Sequence, residues 1–580
     1  MIYGYIVVAE KPSVARAIDR VLKSNHINAI VDSTRGHILD SELPNGFEWG
    51  RVNPREIFNV LKPRLIIRDS KVYKRIKSLF MKYPLYKLVI ATDNDSEGEL
   101  IGYEILLIYR EVRGNDLFWR MRFNSVDYRE LWRAWNNLEP DLNWRWVYKA
   151  LFRQNFDLIT GAAFTRFLTE LARRRSRVRL ISWGSCQTPT LYFVVSRERE
   201  IINFKPSRYW YIEAVLRIGS RDLIVRSEKY DSLRRVRDDF KKVYGARFAE
   251  IADYNEEVKV VRRPTPVMTD DLLKDISQIA GISAAETLSI AEDLYSDGYI
   301  SYPRTETNKY PEGFDFKTPL NAVLKSAIAN EIISYISSTP NPLNGRHDDK
   351  AHPPIYPIKP HPRDGSKRWI IWEYIARRFI ANVYSKDARI ARQKVRVFIG
   401  GIELTASGSL IVDEGFYKIF PYFKPSINPL PRVRRGAIVY VKNVVVREGK
   451  TQPPKRLSEA DLLSLMIKHN IGTDATRARY PKLIIDRNYA VKRRGRFRPT
   501  GLGMKLIEAL ESVDKRLVTP DTRRYVEELM ERIGKGEIEM DEALEKAIEE
   551  YKKLYLECEK NADIIEEILS ESLRELNEKH

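Results

Sequence analysis

Two stretches near the N-terminus repeat one pattern of apolar and polar positions. Tyr5-Ile-Val-Val-Ala9 is a continuous apolar run ending at Glu10, and after Pro12 the residues Val14, Ala17, Ile18, Val21 and Leu22 recur at helical spacing. The run predicts a buried strand, and the recurrence predicts a helix whose first turn holds the proline. Lys87-Leu-Val-Ile-Ala91 repeats the strand, followed by an acidic loop and by Leu100, Ile101, Ile105 and Leu106 at helical spacing. Strand, turn and helix twice over predict an α/β domain with a parallel sheet. Such sheets gather functional groups at the carboxyl ends of their strands, where both acidic turns fall.

Further along, the pattern changes. From about 145 to 200 it is helical and rich in Arg, as in Ala172-Arg-Arg-Arg-Ser-Arg177. Residues 209–265 and 385–450 alternate apolar and polar positions with many β-branched residues, for example Lys394-Val-Arg-Val-Phe398 and Ala437-Ile-Val-Tyr-Val441. These two β-rich blocks flank a helical insert, 266–380, which predicts one domain interrupted by another. After Pro453-Pro454 the helical pattern returns, and from about Asp541 it reads as an acidic amphipathic tail. Trp119, Trp144 and Trp146 are expected in the core.

Composition narrows the class. A chain of 580 residues exceeds what one core serves, so several domains are expected. With 43% hydrophobic and 31% charged residues it is ordinary globular material, neither collagen-like, disordered nor membrane-embedded. The net charge is +20, unevenly spread: from Glu511 to His580 there are 12 bases against 21 acids, leaving residues 1–510 at +29. A basic body with a pI near 9.5 points to a polyanion, and nucleic acid is the first candidate. Two cysteines, Cys186 and Cys558, exclude a disulfide framework and a zinc ribbon. Neither a signal peptide nor a spanning helix is indicated, so a soluble intracellular protein without membrane contact is expected.

The candidate chemistry lies in two segments. Asp93-Asn-Asp95-Ser-Glu97-Gly-Glu99 places carboxylates at alternating positions directly after a strand. Carboxylates so close repel one another unless some hold protons or a cation neutralises them. Hard oxygen ligands on a tight loop suit Mg²⁺, and Glu10, at the end of the other strand, can reach the same point. The competing reading is a solvated acidic turn at a helix N-terminus. The second segment is Gly298-Tyr-Ile-Ser-Tyr302-Pro-Arg304-Thr-Glu306-Thr307. Pro303 fixes the backbone beside Tyr302, and Arg304 supplies a permanent positive charge suited to a phosphate. A phenol with a pKa of about 10 attacks phosphorus only where positive charge stabilises the phenolate and the transition state.

Together these residues resemble the type IA DNA topoisomerases. Glu10-Lys11-Pro12-Ser13 and the acidic loop resemble the family's Toprim domain, and Ile300-Ser-Tyr302-Pro-Arg304-Thr305 its active-site tyrosine motif. Further matches follow in the family's order: Arg122-Phe-Asn124, Gly161-Ala-Ala-Phe-Thr-Arg-Phe167, Ile181-Ser-Trp-Gly184-Ser-Cys-Gln187-Thr-Pro-Thr190-Leu191, Asp349-Lys-Ala-His352-Pro-Pro-Ile355 and Gly472-Thr-Asp-Ala-Thr476-Arg-Ala478. The detail is most similar to the topoisomerase III branch.

The resemblance implies a multidomain α/β protein. A parallel α/β Toprim domain, helical domains and a β-rich arch would form a toroidal core around a hole large enough for DNA. The implied domains are Toprim at 1–145, a helical DNA-groove domain at 146–208 and 446–540, the arch at 209–265 and 381–445, the tyrosine domain at 266–380, and an acidic helical tail at 541–580.

It also implies roles. Tyr302 would attack single-stranded DNA, leaving a 5′-phosphotyrosyl link and a free 3′-hydroxyl, so that supercoils are relaxed or catenated molecules unlinked. Lys11 and Arg304 would stabilise the phosphate, Glu10 would move a proton at the 3′ oxygen, and His352 would contact the scissile phosphate. Asp93, Asp95 and Glu97, with Glu10, would hold Mg²⁺; no zinc is expected. Arg153, Asp157, Gln187, Thr190 and Thr473 match positions lining the single-strand groove. No ATP is expected, because one phosphodiester is exchanged for another and no Gly-x-x-x-x-Gly-Lys-Ser/Thr loop occurs. A monomer in the cytoplasm, associated with the nucleoid, completes the expectation.

The sequence departs from the family at Ser96, where relatives often carry Arg, and at Tyr480 or Pro481, where many carry His. The run Arg487–Arg498 interleaves bases with aromatics and suits phosphates and stacked bases. His37, after Gly36, is read as structural. Two rivals stay open: a Toprim-type primase or nuclease working through its carboxylates and metal alone, and a DNA-binding scaffold without catalysis.

Overall fold

The computed structural model describes residues 4–473 and 476–577. Asp474 and Ala475, in the middle of the Gly472–Ala478 motif, lie outside the described residues.

The first unit runs β1 (Tyr5–Ala9), α1 (Pro12–Ser24), β2 (Ala29–Ser33), β3 (Leu39–Glu42), β4 (Arg64–Ile67), α2 (Ser70–Lys82), β5 (Lys87–Ala91), α3 (Ser96–Arg113), β6 (Phe118–Arg120) and α4 (Tyr128–Asn136). Four of the strands form a parallel sheet in the order β2-β1-β5-β6. Because side chains alternate across a strand, Ile6, Val8, Leu88 and Ile90 pack against α2 and α3. Val7, Ala9, Val89 and Ala91 face α1 and a core that continues beyond the unit. Ala9 is in register with Ala91, so the segments after the two central strands, which begin at Glu10 and Thr92, emerge side by side.

Two long helices follow, α5 (Trp144–Arg175) and α6 (Gln187–Ile202). The chain then enters a barrel through β7 (Arg208–Ile218), β8 (Arg221–Arg226), α7 (Leu233–Val243) and β9 (Phe248–Val261). It leaves for an insert made of α8 (Thr269–Ile279), α9 (Ala284–Ser296), α10 (Lys317–Leu324), α11 (Ala329–Ile332) and α12 (Lys367–Val383), and returns as β10 (Ala388–Ile399), β11 (Ile402–Asp413) and β12 (Ile438–Lys450). The six strands close in the order β10-β11-β8-β7-β12-β9. Closure leaves no sheet edge and buries alternate side chains such as Ile212, Leu216, Val395 and Val397. Val261 pairs with Ala388, so the insert leaves and rejoins the barrel at adjacent strands. Arg263 ties the two connections, its backbone N–H donating to Asp387 at 3.0 Å and its guanidinium to the Ser385 carbonyl at 2.6 Å.

The remaining elements are α13 (Glu459–Lys468), α14 (Tyr480–Asp486), β13 (Ala490–Arg493), β14 (Arg496–Pro499), α15 (Gly501–Val513), α16 (Asp521–Lys535), α17 (Met540–Lys560) and α18 (Ala562–Asn577). The last two correct the expectation of a tail. Ala543, Leu544, Ala547, Tyr551, Leu554, Tyr555, Ile565 and Leu569 are buried in the same core as α5 and α6. Tyr551 meets Phe156 edge-on with ring centres 5.0 Å apart, and Tyr555 meets Phe164 at 5.5 Å. Most of the acids of α17 lie on its exposed face, whereas Glu566 of α18 is buried and accepts from Arg174 at 3.1 Å and Arg175 at 2.6 Å. Removing a large buried aromatic costs about 3–5 kcal/mol. Tyr551→Ala should therefore bring unfolding of the helical unit to markedly lower urea; an unchanged transition would show that α17 is not part of its core. Among the described residues no helix is long and apolar enough to cross a membrane.

Candidate active site

The acidic loop owes its shape to the start of α3. Asp95 caps the helix, its Oδ1 accepting from the Gly98 N–H at 2.7 Å. A Cβ at Gly98 would lie 2.0 Å from the Asp93 carbonyl oxygen, which is why glycine stands between Glu97 and Glu99. Behind the loop, the fully buried Arg120 donates to the carbonyls of Thr92 at 2.9 Å, Asp93 at 2.9 Å and Met121 at 2.8 Å, and to Glu99 at 3.0 Å. Arg122 also pairs with Glu99, whose other oxygen accepts the Asn143 N–H at 2.9 Å. Glu99 is thus spent on holding the loop. Burial would raise its pKa, but the two arginines outweigh that and lower it.

The insert brings Tyr302 to this loop. Its backbone N–H donates to the Asn124 carbonyl at 2.9 Å, and its hydroxyl donates to Asp95 Oδ2 at 2.5 Å. The ring is 2% exposed, meets Tyr295 edge-on at 5.1 Å and lies 5.1 Å from the His352 ring. Burial, then Asp95 and Asp93, push the phenol well above its ordinary pKa, against Arg304. The tyrosine is therefore a neutral donor here. Arg304 sits 3.6 Å from Asp95 and donates to Glu292 at 2.7 Å. Tyr295, which sequence reasoning missed, donates to Asp93 Oδ1 at 3.3 Å; nothing in its sequence setting marks it among 31 tyrosines.

Glu10 and Lys11 complete the cluster. Lys11 Nζ lies 3.1 Å from Asp93 Oδ2 and 5.6 Å from the centre of the Tyr295 ring. Burial together with Asp93 pushes the Glu10 carboxyl up to about 8, against the pull of Lys11, and Glu10 Oε2 accepts the Asp93 N–H at 3.3 Å. Glu97 faces the other way, 2.7 Å from Arg153 and 3.3 Å from His37 Nε2. Burial would raise Glu97, yet Arg153 and His37 hold it at about 2. His37 Nδ1 in turn lies 2.6 Å from Glu104. Burial disfavours the imidazolium, but the two glutamates raise its pKa to about 10, so His37 supports the loop as a cation. His352 packs beside Tyr302, fixed through Nδ1 to Asp349 at 3.2 Å.

The expected groove residues divide. Arg153 and Thr473 line a cavity of about 170 Å³ with Asp95, Glu97 and His352, and Trp146 lines it too rather than lying in the core. Asp157 accepts from Ser185 and Arg523, both at 3.1 Å. Gln187 and Thr190 are not groove surface in this structure. Gln187 is 5% exposed and donates to the Ser182 carbonyl at 3.1 Å; Thr190 is 0% exposed and donates to the Cys186 carbonyl at 2.8 Å. Gln187 also bonds the Ser182 hydroxyl, so both side chains have partners within the protein. Nor does the Arg487–Arg498 run offer aromatic rings for stacking: Tyr489 and Phe497 are 0% and 1% exposed.

As a metal site the donors fit in chemistry, since Asp93, Asp95 and Glu97 offer hard oxygens. Each is also engaged by a cation, and among the described residues no three or more such side chains converge as a ready cage.

Comparison with known proteins agrees with this arrangement. Residues 5–125 match the Toprim domain family, whose members are generally metal-binding, and residues 141–545 match the DNA topoisomerase family. The chain is 32% identical over 586 residues to DNA topoisomerase 3-beta of Oryza sativa subsp. japonica, covering 95% of this chain and 67% of that protein. It is 32% identical to DNA topoisomerase 3 of Candidozyma auris, covering 93% and 88%. Full-length topoisomerase I from Thermotoga maritima superposes with a TM-score of 0.74 at 22% identity, over 95% of this chain and 90% of that one, showing the same multidomain toroidal fold. A tyrosine hydroxyl set on a Toprim carboxylate, in a chain matched along nearly its whole length, leads to one assignment: the chain belongs to the DNA topoisomerase family, as a type IA enzyme of the topoisomerase 3 type.

Proposed function

We propose that Tyr302 is the nucleophile that opens a single strand of DNA, and that the chain relaxes or unlinks DNA without ATP by passing a strand through the break. The observation that carries this reading is the 2.5 Å hydrogen bond from the Tyr302 hydroxyl to Asp95, made between the insert and the Toprim unit. In cleavage the phenolic oxygen bonds to phosphorus and the bond from phosphorus to the 3′ oxygen breaks. The phenolic proton leaves through Asp95, and Glu10 protonates the departing oxygen. Reversal reseals the strand with no net change in phosphodiester bonds. Arg304 and Lys11 would offer positive charge to a phosphate entering beside them, and so stabilise both the phenolate that forms and the transition state. His352 stands beside the ring to contact the same phosphate. Arg153 and Thr473 would guide the strand along the cavity.

Asp93, Asp95 and Glu97, with Glu10 nearby, would hold Mg²⁺. Since no ready cage of three such side chains forms among the described residues, one or two of these carboxylates would bind the ion together with water and phosphate. When bound, it supplies positive charge to the phosphate and steadies the strand ends for resealing.

After cleavage the 5′ end is fixed to the insert and the 3′ end to the rest, so a second strand passes only if the two part. The paired connections at Val261 and Ala388 suit a hinge. The link's polarity tests the reading. An oligonucleotide labelled at its 3′ end should leave its label on denatured protein, and one labelled at its 5′ end should not. Label retained from the 5′ end, or from neither, would overturn it in favour of a nuclease or a non-covalent binder.

A further inference from the structure

A second cleft lies along the same seam. Its volume is about 950 Å³, and its walls come from different units. Arg16 and Arg20 of α1 and Arg129 of α4 line the Toprim wall; Lys325, Lys359 and Arg368 line the insert wall. Among the described residues Arg16, Arg20, Arg129 and Lys325 form no ion pair with an acid within 4 Å, so their charges are open to a ligand. Three acids, Asp127, Asp297 and Asp364, line the cleft with these six bases, so it is net positive; Asp297 pairs with Arg368 at 2.7 Å, while Asp127 and Asp364 accept backbone N–H groups. The walls repel each other. Burial first, and then Arg20 across the seam and Arg368 beside it, hold the Lys359 ammonium below its ordinary pKa, against Asp297.

Closing this seam therefore gathers more positive than negative charge, and an anion seated between the walls would remove that penalty. The ring of Tyr299 is already occupied, with Lys359 4.2 Å over its centre and His361 at 4.6 Å. The cleft thus offers charge rather than base stacking, in a volume within the small-ligand range. Resting on the strand-passage reading above, we infer that it binds a free oligophosphate, which bridges the Toprim unit and the insert and holds the gate shut. Such a ligand would slow strand passage while leaving cleavage in place.

Inorganic tripolyphosphate is the probe, with free Mg²⁺ held constant. It should bind the whole chain by calorimetry, with affinity falling about threefold or more in Arg20→Ala and in Lys325→Ala, and about tenfold in the double variant. It should slow plasmid relaxation by the parent but not by the double variant, and leave oligonucleotide cleavage unchanged in both. Unaltered binding in the double variant, dependence on one wall only, or parallel loss of cleavage and relaxation would overturn the inference. So would a tenfold weaker hold on a short oligonucleotide in the double variant, which would give the cleft to a DNA segment. Failure of the cleavage reading is distinguishable, because it would appear as absence of the covalent adduct in the parent chain.

Discussion

Tyr302→Phe is expected to lower plasmid relaxation by more than about 10⁴-fold and to abolish the denaturation-resistant protein–DNA adduct, while single-stranded DNA still binds. The substitution removes one oxygen and leaves the ring, so its packing against Tyr295 and beside His352 is retained. What is lost is the atom that bonds to phosphorus. A primase or nuclease acting through the carboxylates would keep its activity, since Asp93, Asp95 and Glu97 are untouched; residual cleavage near the parent level would favour that rival.

Much of this site is visible in the sequence because its parts are local. A strand ending in an acid, an alternating carboxylate loop and a tyrosine beside Pro and Arg are each complete within ten residues or so, and the register of Ala9 with Ala91 brings the first two together. What is not local was not legible. The sequence offers Glu97 as a metal ligand, but not the ion pairs it makes once α5 delivers Arg153 and the loop before β3 delivers His37. Tyr295 acquires meaning only when α9 lies against the Toprim sheet. The C-terminal helices look like a tail because their net charge is acidic, yet the charge sits on one face and Tyr551 and Tyr555 on the other. Thr190 and Gln187 show what a resemblance leaves open: it locates a position along the chain, but only the fold shows that these side chains are buried. At Ser96, where relatives often carry Arg, the loop is steadied by Arg120 from behind and by Arg153 from the side.

Arg120→Met should be the most damaging change away from the reacting atoms. The side chain is wholly buried and donates to four backbone carbonyls, those of Ile90, Thr92, Asp93 and Met121, besides Glu99. Removing it leaves those oxygens and part of a buried carboxylate without a donor, a loss of about 3–5 kcal/mol for breaking such a pair. The loop that positions Asp93 and Asp95 would shift with it, and relaxation is expected to fall by about 10²-fold or more. Arg120→Lys should rescue little, because one ammonium cannot reproduce the guanidinium fork. Melting of the Toprim unit together with the relaxation assay checks this; an Arg120→Met protein with parent-like activity and stability would show that the loop holds its own shape.

The most direct test is to trap the covalent adduct on single-stranded DNA, digest both partners and locate the nucleotide remnant by mass spectrometry. It should sit on the phenolic oxygen of Tyr302, within the peptide containing Pro303 and Arg304. A remnant on Tyr295 or any other residue, or none at all during active relaxation, would contradict the account.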